Sequence, residues 1–95
     1  MKSFDYEYDP EKNELNKDKH GVNLADAEMV FYDDRALRDL EDKDHDEQRW
    51  VAVGLDAAGR LLTVLFTYRD PDIIRAISAR KATAKERRSY ARGKR

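Results

Sequence analysis

Several polar residues in this 95-residue chain have types suited to moving a proton or holding a phosphate. Lys19-His20-Gly21 sets an ammonium beside an imidazole, and histidine is the usual general acid or base near neutral pH. The simpler reading of His20 is a cap on the last carbonyls of a helix. Arg75 and Arg80 stand in one apolar run, Ile73 to Arg80. Read as a regular strand, that run puts Ile74, Ala76, Ser78 and Arg80 on one face and Ile73, Arg75, Ile77 and Ala79 on the other. A fully buried guanidinium needs a paired acid or another anion; Arg80, near the strand's end, fits a half-buried place beside a groove, and an ordinary pairing with a glutamate would satisfy it taken alone. Glu47, Arg49 and Arg69 flank two strong strands. An antiparallel hairpin turning at 56–59 brings Arg49 and Arg69 to the same open end, with Glu47 near them. Tyr90 follows Glu86 by four residues and shares its helical face; a core-edge aromatic is the plain alternative. His45 sits in an acidic run whose spacing matches no metal-binding pair. The sequence contains no glycine-rich phosphate loop and no Ser/His/Asp signature.

The elements that must position these groups follow from periodicity and punctuation. Phe4, Tyr6 and Tyr8 alternate with acids, as in a half-buried strand. Asp9-Pro10 opens a helix, with Asp9 as cap and Pro10 at the first helical position. Gly21 closes that helix in a left-handed conformation. It carries little apolar surface beyond Leu15, which predicts a place at the edge of the fold. Asn23 caps a second helix from Leu24 to about Tyr32, stopped by Asp33-Asp34. A short strand over 36–40 and a solvent loop over 41–48 come next. Strands over 50–55 and 61–68 flank the turn at Gly59. After Asp70-Pro71-Asp72 comes the strand over 73–80, and Thr83-Ala84-Lys85-Glu86 is a capping box for a final helix. Residues 91–95 are expected to fray. The order predicts a single α+β domain, with an antiparallel sheet, two N-terminal helices and one C-terminal helix.

The bulk numbers exclude some classes. No cysteine means no disulfide, no thiol nucleophile and no cysteine-based zinc site. The opening residues lack an apolar signal core and no run approaches a membrane span, so a cytoplasmic protein without membrane contact is expected. The net charge of −1 hides an asymmetry: residues 1–48 hold 7 Lys/Arg against 16 Asp/Glu, and residues 69–95 hold 10 against 3. A basic C-terminal third suits a polyanion, although a solvated helix face would look the same.

Four segments together resemble the BrnT family of bacterial toxins. The first is Tyr6-Glu7-Tyr8-Asp9-Pro10-Glu11-Lys12, continuing through Asn16 to Lys19-His20-Gly21-Val22. The second is Ala27 to Asp33. The third is Glu47-Gln48-Arg49 with Gly54 and Gly59-Arg60-Leu61-Leu62. The fourth is Ile74-Arg75-Ala76-Ile77-Ser78-Ala79-Arg80-Lys81-Ala82-Thr83, followed by Glu86 and Tyr90. Tyr8, Leu24 and Ala76 depart from the family's usual Trp, Phe and Ile. The resemblance implies a RelE-like fold and an endoribonuclease without cofactor that arrests growth. It also implies a ribbon-helix-helix antitoxin of the BrnA type that neutralises it, with operator DNA bound only through the toxin–antitoxin complex. Lys19, His20, Glu47, Arg49 and Arg80 are the catalytic candidates it brings; Arg69, Arg75, Ser78 and Tyr90 are candidates for holding RNA. A module that binds its antitoxin and co-represses without chemistry is the competing reading.

Overall fold

The computed structural model describes residues 4–42 and 48–93. In chain order the elements are β1 (Asp5–Tyr8), α1 (Pro10–His20), α2 (Leu24–Ala27), a 3₁₀ segment (Glu28–Tyr32), β2 (Leu37–Asp42), β3 (Arg49–Leu55), β4 (Leu61–Asp70), β5 (Ile73–Lys81) and α3 (Ala84–Arg92). The five strands form one sheet in the order β1-β5-β4-β3-β2. Four of them pair antiparallel, but β1 lies parallel to β5, so the sheet is mixed and not wholly antiparallel. The predicted second helix also divides: one α-helical turn passes into the 3₁₀ segment before Asp33. Helix α3 runs through Arg92 and Gly93 caps it at φ 70°, while the end of the tail expected to fray, 94–95, lies outside the described residues.

One face of the sheet carries the main core. Phe66, Leu24, Leu62, Ile74, Val22, Val30 and Val64 are fully buried there, with Phe31 edge-on to Phe66 at 4.9 Å. The α2 and 3₁₀ segments cover this face. Gly54 lets the 3₁₀ segment approach β3, because an added Cβ would stand 3.0 Å from the side chains of Val30 and Ala36. On the opposite face α3 covers a smaller cluster of Leu37, Val53 and Leu61, joined by Val51, Ala82 and Tyr90. No side chain of α3 is fully buried, so polar anchors hold it as much as apolar contact does. The hairpin between β3 and β4 turns on Gly59 at φ 81°. The Asp56 carboxylate braces it by accepting from the backbone N–H groups of Ala58 and Arg60 and from the Arg60 guanidinium.

Helix α1 docks in an unexpected way. Leu15, its only apolar residue within the helix besides Pro10, is 69% exposed, while Asn13 and Asn16 are buried. Strand β1 pairs with β5 only as far as Ala76. Beyond that point Asn16 takes over the open edge of β5: its amide oxygen accepts from Ala79 N–H at 3.1 Å and its amide nitrogen donates to Ala79 C=O at 2.9 Å. The same nitrogen donates to Val22 C=O at 2.8 Å. Asn13 binds Asn23 and the Leu24 N–H, fixing the start of α2.

The regular alternation expected along β5 is interrupted. Phe66 pairs with Ala76, but the next residue back, Leu65, pairs with Ser78, so β5 carries an extra residue there. Such a bulge shifts the side-chain parity downstream. Ala79 therefore joins Ile74 and Ala76 on the core face, and all three are buried. Ser78 and Arg80 move to the face of Arg75, which corrects the expectation of one arginine on each face. Cross-strand pairing agrees: Thr67 lies opposite Arg75, Leu65 opposite Ser78 and Thr63 opposite Arg80.

Candidate functional site

The bulge thus gathers Arg75, Ser78 and Arg80 on the face that α3 only partly covers. At one end of this face lies a cleft of about 440 Å³, lined by Lys12, Arg49, Thr67, Tyr68, Arg69, Arg75 and Ile77. Four of these seven residues are cations. They come from four elements: Lys12 from α1, Arg49 from β3, Arg69 from β4 and Arg75 from β5. The hairpin geometry brings Arg49 and Arg69 to one open end, as the spacing predicted. Lys12 was not singled out by the sequence, although its place one turn after Asp9-Pro10 is where α1 begins to run along β5.

Glu7 tempers the positive charge. Its Oε2 accepts from Arg75 at 2.6 Å and from Arg69 at 3.0 Å. The parallel register explains the meeting, since Glu7 lies level with Arg75 across β1 and β5. The Arg75 hydrogen bond, opposed by partial desolvation and helped by Arg69, holds the Glu7 carboxyl below the usual range. The carboxylate stays ionised near neutral pH.

Arg80 stands further along β5, away from the residues lining that cleft, and is engaged by Glu86. Its Nη1 and Nη2 donate to the two carboxylate oxygens at 2.8 and 3.0 Å, a bidentate pair. Glu86 also accepts from the Thr63 hydroxyl at 2.8 Å and from Thr83 N–H at 2.8 Å, the latter as half of the predicted capping box. The ordinary structural reading of Arg80, pairing with a glutamate, is therefore present in the molecule. Burial opposes the charge on Glu86, but the hydrogen bonds from Arg80, Thr83 and Thr63 outweigh it and draw the pKa down to about 2. A carboxyl depressed in the folded state stabilises fully above its unfolded value of about 4.3 and loses that contribution as pH falls toward 2. We expect a loss of about 2 kcal/mol across that acid window after allowance for solvent screening. Denaturant midpoints measured from pH 5 to pH 2 check this. Glu86→Gln should flatten the acid limb, and an unchanged limb in that variant would remove Glu86 from the explanation.

Tyr90 is anchored in a comparable way. Its hydroxyl donates to Asp33 Oδ2 at 2.6 Å, and the same oxygen accepts from Leu55 N–H at 2.9 Å. Burial and the Asp33 hydrogen bond both raise the Tyr90 pKa. Tyr90 thus ties α3 to the end of the 3₁₀ segment as well as packing on the smaller cluster. Lys19 is exposed and His20 half-buried at the end of α1, and neither lines the Arg49–Arg75 cleft. Glu47 and His45 lie outside the described residues. Among the described residues no group of three or more His, Asp or Glu side chains is arranged to hold a metal ion, and no helix is long and apolar enough to cross a membrane.

No curated protein matches the chain. The crystal structure of the Brucella abortus ribonuclease toxin BrnT is similar in fold, with a TM-score of 0.66 at 24% identity over 84% of this chain and 97% of that one. The family model for the ribonuclease toxin BrnT of type II toxin–antitoxin systems matches residues 8–86. That span runs from β1 into α3 and contains every described candidate residue except Tyr90. With its five-stranded sheet and cationic open face, the chain belongs to the BrnT family of ribonuclease toxins of type II toxin–antitoxin systems.

Proposed function

We propose that the protein is an endoribonuclease that cuts RNA by attack of a 2′-hydroxyl on the adjacent phosphate, with cations of the open sheet face stabilising the charge on phosphorus. The observation that carries this reading is the convergence of Lys12, Arg49, Arg69 and Arg75 on one cleft. Guanidinium groups bind phosphate oxygens in pairs of hydrogen bonds, and such donors act most strongly on charge that develops in the transition state. In this reaction the 2′-oxygen bonds to phosphorus as its proton passes to a base. The bond to the 5′-oxygen breaks, and that oxygen takes a proton from an acid. A 2′,3′-cyclic phosphate and a 5′-hydroxyl result. The cleft offers cations and a carboxylate already shared by two arginines, which is a poor donor set for a divalent ion.

Lys19 or His20 is the proposed acid or base; neither lines the cleft in the unbound protein, so this role requires the end of α1 to close on the ribose at the cut, within hydrogen-bond reach of its oxygens. Glu47 keeps its proposed part in orienting a cation. Arg80, expected to stabilise charge beside Arg49, stands outside the cleft and is paired with Glu86, so it is proposed with Ser78 to line the RNA path through a side chain that remains 42% exposed. Tyr90 is proposed to contact RNA at the rim of α3. The kinship with RelE-like toxins, a ribbon-helix-helix antitoxin, operator binding through the complex and action in the cytoplasm belong to the same proposal.

Purified protein should cut a synthetic RNA in excess chelator and leave cyclic phosphate and 5′-hydroxyl ends. A single 2′-deoxy substitution at the cut should block it. Ends bearing 3′-hydroxyl and 5′-phosphate, or cleavage abolished by chelator, would reject the mechanism. Absence of any cleavage would favour the non-catalytic module. Growth arrest on induction should be relieved by the partner gene.

A further inference from the structure

Glu7 presents a physical puzzle once the cleft is read as a phosphate site. A carboxylate beside the cations weakens their hold on a polyanion, yet here it reaches two of them at once. Stability does not account for it. The side chains of Glu7, Arg75 and Arg69 are 36, 34 and 56% exposed, and ion pairs so open to solvent contribute little to folding. Geometry accounts for it better. Arg69 and Arg75 project from neighbouring strands, and as like charges with long flexible stems they would swing apart into solvent. A single oxygen, Oε2 of Glu7, draws one Nη of each toward a common point. The rigid parallel pairing of β1 with β5 fixes that point, because Glu7 and Arg75 are direct partners in the ladder.

We propose that Glu7 is a positioning residue: it holds the Arg69 and Arg75 guanidiniums convergent, so that their remaining N–H groups meet one phosphate together. The inference rests on the cleft being the site of RNA cleavage. Glu7 itself does not touch the phosphate in this arrangement. It exchanges some affinity for orientation, and organised donors are what lower a barrier, whereas loose ones only bind.

This trade has a signature that a merely structural residue would not produce. Glu7→Gln removes the charge that draws the two arginines together and leaves the cleft one unit more positive. Binding of a 2′-deoxy-substituted RNA, which cannot be cut, should tighten about threefold, with a steeper dependence on salt. The kcat for cleavable RNA should fall roughly tenfold or more. Glu7→Asp, which keeps the charge on a shorter stem, should return part of kcat. Circular dichroism should match the wild type for both variants.

Each other result counts against the proposal. Tighter binding with unchanged kcat would make Glu7 a simple competitor for the cations. Weaker binding and lower kcat together, with a lowered melting temperature, would make it structural. Wild-type protein that cuts no RNA would overturn the underlying reading and the inference with it. Wild-type cleavage with an equally active Glu7→Gln would overturn the inference alone.

Discussion

Arg75→Ala should lose roughly 100-fold or more in RNA cleavage while the protein stays folded. The magnitude follows from removing one preorganised donor from the place where negative charge grows, which typically costs a factor of about 10²–10³. The fold is expected to survive because Arg75 is one-third exposed and contributes only an open ion pair with Glu7, which solvent screens. Glu7 is not stranded, since Arg69 still reaches it at 3.0 Å. Arg75→Lys should not rescue, because the three N–H groups of an ammonium radiate from one nitrogen and cannot hold Glu7 while offering a phosphate the planar, paired donors of a guanidinium. RNA binding should also lose about one unit of salt-dependence slope. Single-turnover cleavage and a salt titration of binding check these expectations. Activity within twofold of wild type would remove Arg75 from the site.

Asn16→Ala should be the more damaging change to the fold, at about 3 kcal/mol. Its amide satisfies three backbone groups: Ala79 N–H, Ala79 C=O and Val22 C=O. The residue is only 5% exposed, so water cannot readily replace it. A buried backbone group left without a partner costs about 1–3 kcal/mol. For a domain of this size that corresponds to a fall of roughly 10–20 °C in melting temperature. Asn16→Asp should also destabilise, because a carboxylate keeps the acceptor for Ala79 N–H but turns negative oxygen toward the two carbonyls. Thermal unfolding followed by circular dichroism decides it. A fall of less than about 2 °C in Asn16→Ala would mean that the edge of β5 is closed in some other way. Lys12 and Asn16 share this helix, so displacement of α1 should also weaken RNA binding at the cleft.

Much of the framework was readable because it rests on local rules. Asp9, Asn23 and Thr83 cap the helices they precede, and Gly21 and Gly59 take the positive φ their positions demand. The two strongest strands and their hairpin follow from β-branched runs around 56–59. Features set by long-range pairing were not legible. Nothing local to Phe4–Tyr8 says that β1 will lie parallel to a strand nearly seventy residues later. The bulge in β5 depends on how Leu65 and Phe66 seat their partners, and alternation alone sorted Arg75 and Arg80 to opposite faces. The docking of α1 through Asn13 and Asn16, with Leu15 left exposed, runs against the usual use of apolar residues as a guide to contact.

The same division runs through the site. Arg49 and Arg69 were legible as neighbours because hairpin geometry relates them. Glu7 and Lys12 were not, since only the parallel pairing of β1 and the path of α1 bring them to the cleft. The resemblance marked Glu86 and Tyr90 beside Arg80. It did not say that the glutamate would take both Nη groups of that arginine, or that the tyrosine would anchor to Asp33.

A structure of the protein bound to a short RNA with a 2′-deoxy substitution at its cut site tests the central claim most directly. The expected result is a phosphate seated between the guanidiniums of Arg49, Arg69 and Arg75, with the modified ribose directed toward the end of α1. A strand bound only elsewhere, for instance beside Phe4 and Arg38 on the opposite face, with the cleft still closed on Glu7, would contradict it.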